Sequence, residues 1–220
     1  MSLTINFLVL ASLVAWAADR RFDRTLKLDP NHVAALKDMG SILYNAQSFT
    51  KAAEIYERVI AISPDTEALM GLGTSVQRLG HLERAMELYK AILELHPAHP
   101  HAKLNIGVIL HEAGNTAEAI EIYKECLNEP NQTDERRAHV LNNMGAAQIV
   151  AQRLDEGVAT LTEALTLNPK NPNALVNLGA YYNEEGNLDL GNDMFIKAFS
   201  LIEGEPRRRV LGTTTGADTF

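Results

Sequence analysis

Two groups of side chains in this sequence could carry chemistry. The first is His96-Pro97-Ala98-His99-Pro100-His101, the densest cluster of potential metal ligands. Three imidazoles suit a borderline transition metal. Their spacing matches no zinc pattern, and the prolines place them in a turn between helices, so solvated loop histidines are expected and no metal. The second group is Asn105, Asn143 and Asn177, separated by 38 and 34 residues. An Asn amide offers one acceptor and two donors. It can pair with the backbone of an extended peptide whatever that peptide's sequence. No catalytic constellation accompanies either group. There is no Gly-rich phosphate loop, no Ser-His-Asp context and no isolated carboxylate pair. Glu83, Glu87, Glu118 and Glu121 stand among lysines and arginines on solvated helix faces. Expected, therefore, is a chain that is not an enzyme, with no catalytic residues and no cofactor.

The elements that must position the asparagines emerge from a repeat. Five blocks end in an apolar residue and a glycine: Met39-Gly40, Leu72-Gly73, Ile106-Gly107, Met144-Gly145 and Leu178-Gly179. The glycines are 33, 34, 38 and 34 residues apart. A very small residue follows at a fixed distance: Ala52, Ala85, Ala119, Gly157, Gly191. Then comes a large one: Tyr56, Tyr89, Tyr123, Leu161, Phe195. Then comes a small or medium apolar one: Val59, Ile92, Cys126, Ala164, Ala198. Pro64, Pro97, Pro130 and Pro169 close four of the units. Leu69, Leu72 and Val76 share one face of a first helix; Ala85, Leu88, Tyr89 and Ile92 share one face of a second. Gly80, Gly114 and Gly186 lie between the helices, where a left-handed C-terminal cap is needed. Gly73 and Ala85 let two backbones approach, and Tyr89 is the knob that fills the space beside them.

This pattern resembles the tetratricopeptide repeat, a helix–turn–helix unit of 34 residues, over residues 33–202. The resemblance implies an all-α chain, an α-α superhelix of about 11–12 helices. Its repeats are expected at 33–65, 66–99, 100–137, 138–171 and 172–202. The tryptophan sometimes found early in the unit is absent; Leu36, Leu69, Lys103, Leu141 and Leu175 stand there. Lys103 is expected to lay its stem along the surface. The four extra residues of the third spacing are expected in the polar stretch 128–134. Ala18, Phe22 and Thr25 then fall in phase, so residues 18–32 read as a partial repeat.

Residues 1–17 leave two readings open. Phe7 to Ala17 is apolar all round, and Ala15-Trp16-Ala17 reads as a small-x-small cleavage site. No Lys or Arg precedes it, and the run falls short of the roughly 20 residues that span a bilayer. It is either a signal or anchor, or a degenerate helix packed on the first repeat. A cytoplasmic location is the first expectation; a secretory or membrane-anchored one follows if the segment is a signal or anchor. Asn131-Gln132-Thr133 would then be a glycosylation sequon. Residues 203–220 lack periodicity and read as a mobile tail. No polar capping helix follows the fifth repeat, so its apolar face is expected to offer self-association.

The 220 residues carry a net charge of −8, with 46% hydrophobic and 6% aromatic residues. Such an acidic chain lacks the field of cations that nucleic acid requires, so no nucleic acid is expected as a partner. One cysteine excludes an intrachain disulfide, and Cys126 reads as a packing residue.

In tetratricopeptide arrays the first helices line a concave groove. Two residues before each glycine stand Asp38, Gly71, Asn105, Asn143 and Asn177. Three Asn in succession resemble the asparagine ladder of O-linked N-acetylglucosamine transferases and SPINDLY-type proteins. The resemblance implies backbone contacts from Asn105, Asn143 and Asn177. Lys37, Asp38, Tyr44, Gln77, Arg78, His101, His111 and His139 are expected to tune specificity. The carboxylate clamp of Hsp70- and Hsp90-binding domains is not matched. Its places hold Lys37, Ser41, Gly71, His101 and Asn105, with one match in five, and an unpaired carboxylate is costly. The expected function is a non-catalytic scaffold or adaptor that binds a partner peptide in the groove. The alternative is the substrate-recognition arm of a larger enzyme, such as an O-linked N-acetylglucosaminyltransferase.

Overall fold

The computed structural model describes residue 22 and residues 24–203. Residues 22 and 24–28 are helical, and ten further helices follow. They divide into two compact units at Asn128 and Glu129. The first unit holds α1 (Val33–Asn45), α2 (Phe49–Ile62), α3 (Thr66–Arg78), α4 (Leu82–Leu95), α5 (Pro100–Glu112) and α6 (Thr116–Leu127). The second holds α7 (Asp134–Val150), α8 (Leu154–Leu167), α9 (Pro172–Glu184) and α10 (Leu188–Glu203). Consecutive helices pair as antiparallel hairpins, and each hairpin packs on the next within its unit. First helices also touch: α1 meets α3, and α7 meets α9. The described residues are thus all-α, built of stacked helical hairpins. The readings made on residues 1–17 and on the tail beyond Glu203 lie outside the described residues.

The helix starts follow from side chains. His32 Nδ1, Asp65 Oδ1, His99 Nδ1, Thr133 Oγ1 and Asn171 Oδ1 each accept a hydrogen bond from a backbone N–H three residues on. These caps satisfy donors the helix cannot. Every first helix has one; α2, α4, α6 and α8 start without one, straight from the hairpin turn. Gly80, Gly114 and Gly186 take φ of 84°, 85° and 81°, as the turn requires. In the first and fourth hairpins Gln47 and Gln152 do the same at 58° and 62°. A side chain in that region costs roughly 1–2 kcal/mol. Gln152→Gly is therefore expected to stabilise the fold by about 1 kcal/mol, after glycine's own chain entropy, and to raise the urea midpoint.

The core is the expected set of knobs and small residues. Tyr89 and Tyr123 are fully buried, as are Ala52, Ala85 and Ala119. A Cβ added at Gly73 would lie 2.7 Å from Tyr89 Cε1. Cys126 is fully buried, as a packing residue should be. Lys103 is partly buried and reaches Glu125 at 3.6 Å.

The polar stretch 128–134 does hold a longer connection: six residues separate Leu127 from Asp134, where three or four separate the other hairpins within each unit. The insertion also lengthens α7, which has 17 residues where α1, α3, α5 and α9 have 13. Helix α7 therefore runs across the boundary expected at 137/138. Thr133 caps it, and Asp134 and Glu135 stabilise its positive end, so the polar run starts a helix. The preceding turn is held by Arg136 on Glu129 at 2.6 Å and by Gln132 Nε2 donating to the Glu129 carbonyl at 2.9 Å.

Candidate peptide-binding surface

Each candidate residue is placed by a first helix, and the surface is built separately in each unit. In the first unit Asn105 lies on α5, half-buried. Its Nδ2 faces Met70 Sδ at 3.6 Å. Its side chain also lies close enough to the Tyr89 hydroxyl to draw that group's pKa down against the effect of burial. That hydroxyl donates to Gln77 Oε1 at 3.0 Å, and Gln77 Nε2 donates to Glu112 Oε2 at 3.3 Å. Asn105 and Gln77, both expected on this surface, thus belong to one polar network. Tyr89 is the residue that joins them. The repeat shows Tyr89 only as a core knob; nothing in its spacing shows where its hydroxyl goes.

Lys37 is engaged from within the fold. Its ammonium bridges Asp65 and, at 2.8 Å, Glu67. Hydrogen bonds to both carboxylates hold its pKa above the usual lysine value. Burial pushes Asp65 up, but the Lys37 bond and the Ala68 N–H outweigh it and hold the carboxyl below its usual value. This brace ties the first repeat to the second. Glu67 then lines, with Thr66, Met70, His96, His99 and His101, an open depression of about 510 Å³. His99 and His101 stand edge to face at 6.2 Å. His99 Nδ1 is committed to the helix cap. Among the described residues no group of three or more His, Cys, Asp or Glu is arranged to hold a metal.

Tyr44 and Arg78 converge on a residue that the spacing did not single out. The Tyr44 ring meets Phe49 edge to face at 5.3 Å, and the Arg78 guanidinium lies 5.0 Å from the Phe49 centroid. Such a cation–aromatic contact contributes about 0.5–1 kcal/mol at an exposed site. Asp38 is exposed and borders a small depression with Phe22, Ser41 and Ile42. His111 is half-buried on α5, with Nδ1 buried and without a hydrogen-bond partner. Gly71 carries no ladder amide, because the Tyr56 ring fills the space where its Cβ would be.

In the second unit the asparagines form a relay. Asn177 Nδ2 donates to Asn142 Oδ1 at 3.0 Å, and Asn142 Nδ2 donates to Asn143 Oδ1 at 3.1 Å. Asn142 is buried; Asn143 and Asn177 are half-buried. Among the described residues no hydrogen bond uses Asn143 Nδ2 or Asn177 Oδ1. One end of the relay is thus left as a donor and the other as an acceptor. The spacing missed Asn142. The signal was the Asn142-Asn143 doublet, and Asn142 holds the same place in its repeat as Met70. The Asn105–Met70 and Asn177–Asn142 contacts both link residues 35 apart. His139 is exposed on α7.

The sequence model of the tetratricopeptide repeat family matches residues 17–66 and 70–133. A probable UDP-N-acetylglucosamine–peptide N-acetylglucosaminyltransferase SPINDLY from Hordeum vulgare is 30% identical over 77% of this chain and 23% of its own length. The structure of a thermophilic TPR protein from Thermus thermophilus superposes with a TM-score of 0.68 at 22% identity, over 79% of this chain and 93% of that one. YrrB, described as a TPR protein with an unusual peptide-binding site, gives 0.54 at 14% identity, over 83% and 93%. The chain spans about a third or less of the length of such full-length curated relatives.

Proposed function

Since this chain belongs to the tetratricopeptide repeat family, whose fold is a protein-interaction scaffold, we propose that it works without catalysis and binds an extended segment of a partner protein. Within the first unit Asn105, and within the second Asn143 and Asn177, would each pair with main chain of a partner. The observation that carries this is the relay Asn177–Asn142–Asn143. Its buried centre fixes the two outer amides, and its ends offer one donor and one acceptor. A peptide backbone presents both complements at every residue, so such ends suit main chain better than any one side chain. Lys37 acts as a brace between repeats. Tyr44, Gln77, Arg78, His101, His111 and His139, with Asp38, would discriminate among side chains.

The test is chemical. A partner peptide recovered by affinity capture is resynthesised with N-methyl groups on successive backbone nitrogens. Recognition through main chain predicts a loss of about fivefold or more at one or two nitrogens, the worth of about one hydrogen bond. Loss only on changing side chains would sink this reading.

The second reading is a substrate-recognition arm of a longer enzyme. The SPINDLY relative favours it, because this chain corresponds to only 23% of that protein. Recovery of a longer transcript encoding a glycosyltransferase domain in frame would establish it.

A further inference from the structure

We infer that Arg78, Tyr44 and Phe49 form a subsite for an oxyanion, a carboxylate or phosphate borne by one side chain of the bound segment. This rests on the proposed binding of an extended partner segment. Each of the three residues departs from its repeat. At the place of Arg78 the other repeats carry Asn45, Glu112, Val150 and Glu184. At the place of Tyr44 they carry Gln77, His111, Ile149 and Asn183. At the place of Phe49 they carry Leu82, Thr116, Leu154 and Leu188. Stacking the repeats therefore requires neither ring and no cation. Yet the three meet, the rings at 5.3 Å and the guanidinium at 5.0 Å from the Phe49 centroid.

Arg78 is also held unlike the arginines around it. Arg84, Arg136, Arg137 and Arg153 each pair with a glutamate, and Arg58 donates to the Pro30 carbonyl. Arg78 is exposed in the last turn of α3, and among the described residues it makes no ion pair and donates no hydrogen bond. The Phe49 ring fixes the guanidinium while leaving its N–H fork for an oxygen acceptor. Such a fork matches the paired oxygens of a carboxylate or phosphate. The Tyr44 hydroxyl adds a second donor. It has no hydrogen-bond partner among the described residues, and it lies close enough to the Tyr89 hydroxyl to raise that group's pKa. The subsite thus adjoins the Tyr89–Gln77 network of the candidate surface. The Glu112 carboxylate of that network is held by Gln77 Nε2 and forms no ion pair with Arg78.

The test starts from random dodecapeptides displayed on phage and selected on the full chain. The selected peptides are expected to share one acidic residue. Resynthesised with the uncharged amide in its place, they should bind about tenfold or more weakly, the scale of a charged hydrogen bond. Arg78→Gln should weaken binding as much, and the two losses should not add. Arg78→Lys keeps the charge without the fork and should recover only part of the affinity. Phe49→Leu, which installs the residue type of the second repeat, should weaken binding about threefold. Circular dichroism melting checks that the variants fold. Phosphoserine in place of the acidic residue identifies the oxyanion: tighter binding assigns a phosphate, weaker binding a carboxylate. Selected peptides with no acidic residue in common overturn the subsite, as does an Arg78→Gln loss that adds to the loss from the amide. The backbone-pairing reading then still stands if N-methylation weakens those peptides. A selection that retains no peptide overturns both.

Discussion

Gly71→Asn is expected to destabilise the fold by about 2–3 kcal/mol rather than to extend the row of asparagines. Sequence register makes the opposite change look natural, because Asn105, Asn143 and Asn177 occupy this place in later repeats. The obstacle is Tyr56. Its ring atoms pack against Gly40 at 2.9–3.1 Å from an added Cβ, and against Gly71 still more closely. Tyr56 is 7% exposed, so a ring displaced from one glycine is driven toward the other. Leucine lacks the outer ring atoms that make these contacts, and Leu161 is the knob of the fourth repeat. Tyr56→Leu should therefore relieve the clash. In a double-mutant cycle read by urea unfolding, the pair should cost less than the sum of the singles by about 1 kcal/mol or more. A Gly71→Asn variant within about 0.5 kcal/mol of wild type would contradict this packing.

Stability is expected to collapse in alkali, for a reason that also lies in the knobs. An unfolded tyrosine ionises near pH 10. In the fold, burial pushes Tyr56 up to about 12, with Glu67 adding to the effect. Burial raises Tyr89 too, against the nearby Asn105 side chain that draws it back, and raises Tyr123. The folded chain keeps these protons where the unfolded chain releases them. The contribution is therefore fully present below pH 10 and is lost as the pH climbs toward the folded values. Each tyrosine removes up to about 1.4 kcal/mol per pH unit over that window. Urea midpoints measured between about pH 9 and 11 should fall steeply, and Tyr123→Phe should lessen the slope. A flat profile would show that the three hydroxyls ionise as freely in the fold as out of it.

What the sequence made legible, and what it hid, divides along local and non-local physics. The hairpins were legible because their signals are short-range. Gly80, Gly114 and Gly186 mark turns through one backbone angle, and Tyr89 marks its knob by phase with Gly73 and Ala85. The turns at Gln47 and Gln152 were not, since a non-glycine residue at positive φ carries no signature of its own. The early start of α7 is hidden because Asp134 to Arg137 follows a polar loop without a break, and only the Thr133 cap marks where the helix begins. On the candidate surface, the row of asparagines was legible by register. Asn142 and the Tyr89 hydroxyl were not, because each acts through a contact with another repeat. Register places Lys37 among the recognition residues; that its ammonium also bridges Asp65 and Glu67, about thirty residues away, shows only in the fold. Tyr44 and Arg78 came together only around Phe49, which register alone does not connect to them.

The central claim is that the outer amides bind main chain, and one measurement addresses it directly. Asn143 and Asn177, the two ends of the relay in the second unit, are replaced together by Ala, and the affinity for a captured partner peptide is measured by calorimetry. Two lost hydrogen bonds at about 1 kcal/mol each predict a weakening of about 30-fold, with the helical content unchanged. An affinity within about twofold of wild type, on a chain that still melts cooperatively, would contradict the account.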